Sequence, residues 1–332
     1  MSRPLRWALI GASDIAATRL IPAIRENGQS ITSVRSGNLD HAQSYAQTHG
    51  IDIATTSLLE AVDRDDVDAV YISSVNTLHR EQCEVAAKAG KHVLAEKPLA
   101  MTVLDAQAMV DACASAGVVM ATNHHLPASP THRVIKDLVS SGSIGDVRAI
   151  RFHHAVQLPD RLAGWRINAV EEGGVIFDVT VHDAAAIAAI LGTHAKSVRA
   201  VGMNQDNDPS GPPDAVVTSI EWEGNVLVQT HDAYNNAHLP TGIHILGTGG
   251  AIVAENCNTG DPVGDVWLVK NHQRQEISIP DREDLYVRTV RQFQAAVHGQ
   301  GDVIVSGQDG VHSLAVAAAA YESARTGKTI SI

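Results

Sequence analysis

Aromatic residues make up only 4% of this 332-residue chain, too few for the aromatic-rich core of a β-sandwich. Cysteine is scarcer still: Cys83, Cys113 and Cys257 stand far apart in sequence and show no metal-ligand spacing. They imply no disulfide framework, and a reducing compartment is the simpler reading. Basic residues are in deficit, 25 Lys and Arg against 37 Asp and Glu, for a formal charge of −12. So acidic a surface argues against nucleic acid or an anionic membrane as a general partner, while still allowing one basic pocket for a phosphate. Long apolar runs are missing too. The Ala-rich stretches near 184–191 and 314–320 fall short of the ~18 residues that read as a membrane span. The opening "MSRPLRWALIG" has too short an apolar stretch for a signal peptide. A cytoplasmic protein is expected.

What is present is Ala, Val and other hydrophobic residues, 44% of the chain, enough for a sizeable core in two domains. In the first half, "RWALIG" (6–11), "SITSVRS" (30–36), "VDAVYISS" (67–74), "KHVLAE" (91–96) and "VVMATNHH" (118–125) alternate with helical stretches. That alternation predicts an α/β class, with a doubly wound parallel sheet of the Rossmann type over residues 1–124. Such sheets bind ligands beyond the carboxyl ends of their strands. Ser13, Ser36, Asn76, Lys97 and Asn123 fall at those ends. From about Ile144 the texture changes to β-rich runs separated by Gly, Asn and Asp turns, with one helical stretch at 181–192. Residues 125–332 therefore read as an α+β domain with a mostly antiparallel open sheet. The C-terminal helix, stopped by Gly327, is free to pack back on the first domain. The Pro- and Gly-rich 207–214 reads as a loop.

Gly11 closes the first strand, with Ser13 and Ala16 in the remaining slots of G-x-G-x-x-G/A. The first glycine makes the tight turn and the last slot needs only a small residue. The middle slot normally lets backbone approach a pyrophosphate, and here Ser13 adds a Cβ and a hydroxyl. A plain strand-to-helix turn is the bland alternative; the surrounding βαβ units favour a dinucleotide. A NAD site usually ends its second strand with an acid that holds the ribose 2′-hydroxyl. Here "SVRSGN" places Arg35 and Ser36 there, and a guanidinium with a hydroxyl attracts a 2′-phosphate. NADP is expected over NAD. A merely solvated Arg35 is the competing reading.

In "GGVIFDVTVHDAAAIAAIL", Asp178 and His182 are four apart at the start of a helical run and share a face if the turn is helical. A carboxylate beside an imidazole fixes its tautomer and raises its basicity, as acid–base work requires. Asp183 is equally close, and spacing does not rank the two acids. The Gly173-Gly174 turn before them allows a close approach by substrate or nicotinamide. Adjacent histidines rarely present both rings to one ion, so His124-His125 and His153-His154 are read as structural or substrate contacts and no metal is expected.

The "GASDIA" turn, "EKPLAMT", "TNHH" and "GGVIFDVTVHD", in that order, together with the later "GTGGAI" and "DGVHSLAVAAAAYESARTGK", resemble the Gfo/Idh/MocA oxidoreductases over nearly the whole chain. The resemblance implies that Lys97 of "EKP" projects toward substrate and nicotinamide, with His182 and Asp178 facing it from the second domain. Lys97 would then stabilise alkoxide character on the reacting oxygen, and His182 would be the proton donor. The resemblance further implies cofactor contacts from Ala12, Ser13, Asp14 and Ile15 on the glycine turn and from Ser36, Gly37 and His41 after the second strand. It adds Ser74, Val75, Asn76, Thr77, Leu78 and His79 beyond "VDAVYISS". Glu96, Lys97 and Asn123 follow, and Trp165, Arg166 and Tyr286 complete the set. Arg35 stands where an apolar residue is expected and His41 where an Arg is expected, an exchange that concerns the 2′-phosphate.

The implied activity is NADPH-dependent reduction of a keto-sugar or dicarbonyl sugar. A sugar or inositol dehydrogenase running on NAD(P) is the nearest alternative, disfavoured by the missing acid at the second strand. A non-catalytic sensor of dinucleotide and sugar is the reading from a different class, and the joint retention of Lys97, Asp178 and His182 counts against it. A monomer, or a homo-oligomer paired through the open sheet face, is expected.

Overall fold

Strand β1 (Arg6–Ile10) is buried on both faces from Trp7 to Ile10, as central strands of a parallel sheet must be. It sits within β2 (Ser30–Arg35), β3 (Ile53–Thr55), β4 (Ala69–Ile72), β5 (His92–Ala95) and β6 (Met120–Thr122). Their order is β3-β2-β1-β4-β5-β6 and every pairing is parallel. The chain leaves β1 toward β2 and β3, then returns to β4 on the other side, so the β1/β4 boundary is the switch point where such sheets open a crevice. The computed structural model describes residues 3–168, 174–206 and 210–332, without the side chain of Trp165.

The connecting helices are α1 (Ile21–Glu26), α2 (Leu39–His49), α3 (Leu58–Val62), α4 (His79–Lys88) and α5 (Val103–Ala116). Local chemistry sets their ends. Asn38 caps α2 through the His41 N–H, Thr102 caps α5 through that of Asp105, and Gly50 and Gly117 terminate the same helices in the left-handed region. Cys83 and Cys113, distant in sequence, are buried neighbours in this unit with their sulfurs 3.5 Å apart.

Later elements are α6 (Pro130–Ser140), β7 (Val147–Ala155), α7 (Ala163–Asn168), α8 (Val181–Leu191), β8 (Ala195–Met203), β9 (Ala215–Trp222) and β10 (Val226–Ala233). They are followed by β11 (Gly242–Gly247), β12 (Ala251–Glu255), β13 (Asp265–Lys270), β14 (Gln273–Ile277), α9 (Leu285–Val297), α10 (Gly307–Thr326) and β15 (Ile330–Ser331). The second sheet runs β14-β13-β12-β11-β7-β10-β9-β8-β15. Its neighbours pair antiparallel except β7 with β10. Strand β9 alternates buried and exposed residues, the pattern of a sheet with one covered face. The covered face packs Ile150, Phe152, Val198 and Ile220 with Ile187 of α8 and Val316 of α10.

The chain divides into two compact units, Met1–His124 with Tyr286–Val311, and His125–Leu285 with His312–Ile332. The single second domain expected over 125–332 is thus interrupted by 286–311. In the first unit Trp7 lies against Phe293 of α9, ring centroids 5.2 Å apart. Gln29 links the two elements, accepting from Trp7 Nε1 at 2.6 Å and donating to Gln294 at 2.8 Å. Among the described residues no helix is long and apolar enough to cross a membrane.

Candidate active site

The crevice of the first unit is built from strand ends. Gly11 has φ +123°, and a Cβ there would lie 2.7 Å from the carbonyl carbon of Ser73 at the end of β4, so only glycine fits between the two strands. Ser13, in the middle slot of the fingerprint, turns its hydroxyl inward. Its Oγ lies 2.7 Å from Ser73 Oγ and accepts from the Ala16 N–H, and its carbonyl accepts from Tyr45 Oη at 3.0 Å. The helix that follows opens with a π-helical turn over Ala16–Leu20. Ala12 and Ile15 are half-buried and Asp14 is exposed.

At the end of β2, Ser36 is buried. Its Oγ lies 3.2 Å from His41 Nδ1 and 3.4 Å from the Asn38 N–H, while Asn38 accepts the His41 N–H at 2.9 Å. This makes a closed polar turn with no carboxylate from 35 to 39; Asp40 follows, exposed, on the first turn of α2. A Cβ on Gly37 would meet open space. Arg35 directs its Nε to the Thr56 carbonyl at 3.1 Å.

Beyond β4, Ser74 Oγ donates to Gln82 at 2.7 Å and Asn76–Leu78 form a 3-10 turn, with Val75 and Thr77 exposed. His79 is wholly buried, its ring nitrogens 3.2 Å from the Ser74 carbonyl and 3.1 Å from that of Leu99. It therefore struts two loops, and burial holds its pKa below the ordinary value against those carbonyls. At the end of β5 the carboxylate of Glu96 accepts from Tyr71 Oη, from Asn123 Nδ2 at 2.6 Å and from the Lys97 N–H at 3.3 Å. Burial raises Glu96 despite those donors, and burial together with the Glu96 charge pushes the Tyr71 phenol up. Lys97 is half-buried and its peptide to Pro98 is cis. Burial, and then the Lys97 charge, lower His124 to about 3.

Asn123 Oδ1 is buried with no hydrogen-bond partner, an unspent acceptor at the end of β6. With the glycine turn and the acid-free end of β2, it fits a dinucleotide along these strand ends. Tyr286, at the start of α9, is buried in the same unit with Arg19 over its ring at 5.9 Å.

In the second unit Asp178 sits on a π-helical turn, Ile176–Thr180, that runs into α8. Its Oδ2 accepts from Arg166 Nε at 2.7 Å and from Tyr234 Oη at 3.0 Å, and Tyr234 also reaches the Gly174 carbonyl at 3.2 Å. Gly174 has φ +86°, and a Cβ there would press on Pro212 and Pro213. Arg166, expected on the cofactor, is thus ion-paired to Asp178. The Trp165 side chain and Gly173 lie outside the described residues. His182 is buried, its ring edge-on to His125 at 4.6 Å.

The two acids that spacing left unranked are separated here, because Asp183 bonds His154 Nδ1 at 2.7 Å. His153, one residue earlier on β7, points to the opposite face, toward His231 and Asn236. Among the described residues no group of three His, Cys, Asp or Glu could hold a metal ion. Tyr234 and Asp232 were not singled out from sequence. The available signal was the inward row Thr230, Asp232, Tyr234 at the end of β10, all buried.

Residues 5–124 match the family model described as GFO_IDH_MocA, oxidoreductase family, NAD-binding Rossmann fold, and residues 132–253 match the GFO/IDH/MocA C-terminal domain. The chain is 41% identical over 328 residues to the 1,5-anhydro-D-fructose reductase of Ensifer adhaerens, covering 98% of each. It is 30% identical to the dTDP-3,4-didehydro-2,6-dideoxy-alpha-D-glucose 3-reductase of Streptomyces violaceoruber, over 97% of this chain and 93% of that one. Among solved structures, the aldose-aldose oxidoreductase of Caulobacter crescentus, complexed with glycerol, superposes with a TM-score of 0.89 at 25% identity, over 99% and 100% of the two chains. A six-stranded Rossmann sheet, a largely antiparallel second sheet and these matches agree: the chain belongs to the Gfo/Idh/MocA family, as an NAD(P)-dependent oxidoreductase.

Proposed function

We propose that this enzyme reduces a keto-sugar or dicarbonyl sugar of the 1,5-anhydro-D-fructose kind with NADPH. The observation that carries the reading is the identity of 41%, spread over 98% of both chains, to a 1,5-anhydro-D-fructose reductase. NADPH is favoured over NADH because β2 ends in Arg35 and Ser36, beside His41, where a carboxylate would repel a 2′-phosphate. When bound, the cofactor supplies hydride to the carbonyl carbon.

The chain's own residues do the rest. Lys97 polarises the carbonyl oxygen as negative charge develops, and His182 donates the proton that completes the alcohol. Asp178, fixed by Arg166 and Tyr234, supports the charge and orientation of that imidazole. Glu96, Tyr71 and Asn123 set the end of β5 from which Lys97 emerges, and Asn123 Oδ1 is the acceptor offered to the cofactor. The test is a steady-state screen of purified protein with NADPH and NADH against 1,5-anhydro-D-fructose, simple ketoses, dicarbonyls and inositols. The highest kcat/KM is expected with NADPH and the anhydro-ketose. Faster turnover of inositols with NAD⁺ would overturn the reading.

A further inference from the structure

Beneath α8 the second unit buries three titratable side chains that the proposed reaction does not use. Asp183 on α8 and Asp232 at the end of β10 are both 0% exposed, and His154 on β7 is buried. His154 Nδ1 lies 2.7 Å from Asp183 Oδ1. Asp232 Oδ2 accepts the hydroxyl of Thr180 and that of Thr230 at 3.2 Å, and Thr230 lies 2.9 Å from Thr218. One oxygen on each carboxyl remains, because Asp183 Oδ2 and Asp232 Oδ1 are buried with no other partner. Asp232 and His154 are register partners on β10 and β7. Thr180 and Asp183, which bond them in turn, are three residues apart at the start of α8, so the two carboxyl groups are brought side by side. Two ionised carboxylates in a dry core repel strongly, and two acceptors face to face make no bond. A single proton between them removes both problems.

We propose that Asp183 and Asp232 share one proton at neutral pH, Asp232 Oδ1–H donating to Asp183 Oδ2, and that this pair holds the start of α8 and so positions His182. The second half rests on the proton-donor role given to His182 above; the shared proton does not. The proton belongs on Asp232 because that side chain has two neutral hydroxyls as its other partners, whereas Asp183 faces an imidazole able to carry positive charge. Burial raises both acids, and the Asp183 charge raises Asp232 further. Two further titratable groups lie near the pair, His132 and Cys257. Burial lowers His132, which bonds Asn258 at 3.1 Å, to about 4 and pushes the Cys257 thiol up. Both are neutral at pH 7.

Asp232→Asn is an isosteric copy of the protonated acid. Its amide carbonyl keeps the two threonine donors and its amide N–H replaces the shared proton. The first readout is infrared. At pH 7 the wild type minus Asp232→Asn difference should contain the carbonyl stretch of a protonated carboxyl, Glu96 being common to both proteins and cancelling. The second is Tm against pH. Above about pH 4 the unfolded chain has released the proton that the folded pair keeps, so the pair's own contribution to stability falls as pH rises from there. Asp232→Asn escapes that fall, and its Tm relative to wild type should climb by about 6 °C between about pH 5 and 8. Asp183→Asn, which takes the anion from His154, should lower Tm at every pH.

The third readout is kcat: Asp232→Asn should keep the alkaline limb that His182 itself sets and lose the part added by ionisation of the pair, so its limb should differ from that of wild type. A missing carboxyl band, or a Tm difference that does not change with pH, overturns the shared proton. A band and a Tm trend without any change in the alkaline limb of kcat overturn the link to His182 alone.

Discussion

Tyr234 Oη lies 3.0 Å from Asp178 Oδ2, the same oxygen that Arg166 Nε reaches at 2.7 Å. Asp178 is therefore held by one neutral and one charged donor, and the two should behave differently on removal. A hydrogen bond to a charged group is worth about 1.5–3 kcal/mol, so Tyr234→Phe should lower kcat roughly tenfold and leave NADPH binding unchanged. Arg166→Ala leaves a part-buried carboxylate without its cation and should cost more stability, on the order of 3 kcal/mol. Chemical denaturation and steady-state kinetics on both variants make the comparison. Equal losses in the two would mean that Asp178 is not the common element.

The end of β2 carries the second expectation. Ser36 is buried between the Asn38 N–H and His41 Nδ1, and the proposed preference for NADPH rests on this position. Ser36→Asp should reverse the preference for NADPH by like-charge repulsion, read as the ratio of kcat/KM for the two cofactors. Wild type that uses NADH equally well would show that this turn does not read the phosphate.

The parallel half of the fold was legible because β1, β4 and β5 are continuous apolar runs set between helical stretches. Elements with little apolar signal were not. Strand β3 has three residues, β14 reads QRQEI and is almost entirely exposed, and α6 hides its inward face behind buried Thr131 and His132. At the site, spacing brought out the pair Asp178 and His182, while the role of Lys97 and the choice of Asp178 over Asp183 came from the family resemblance. Spacing could not show that the two acids have different tertiary partners, Arg166 and Tyr234 for one and His154 for the other. Strand β10 misleads a reader of patterns, since Leu227 faces solvent while Thr230 and Asp232 face in.

Acid should destabilise the protein through two buried imidazoles. His124 is held at about 3 and His132 at about 4, mainly by burial. Both folded values lie below the unfolded one, so the unfolded chain binds the protons first and stability is lost as pH falls below about 6.5. Each contributes about 1.4 kcal/mol per pH unit across its window. Tm measured from about pH 7 down to pH 4.5 should fall steeply in wild type and less steeply in His132→Gln. A variant with the wild-type slope would remove His132 from the account.

Catalysis gives the sharpest test. If Lys97 polarises the carbonyl and His182 supplies the proton, then Lys97→Ala and His182→Ala should each depress kcat far more than they weaken NADPH binding. A positioned general acid is worth roughly 10²–10⁴-fold, and a loss of that size is expected for His182→Ala. Asp178→Asn should cost less, because the amide keeps the shape at that position and loses only the charge that supports the imidazolium. Lys97 and His182 are assigned to one transition state, the first meeting negative charge on oxygen and the second ending it. The double variant should therefore lose less than the product of the two single losses, since groups acting in one step are not additive. Fluorescence titration with NADPH separates binding from chemistry in each case. A His182→Ala enzyme that retains near wild-type kcat would sink the assignment and leave Lys97 or a water to deliver the proton.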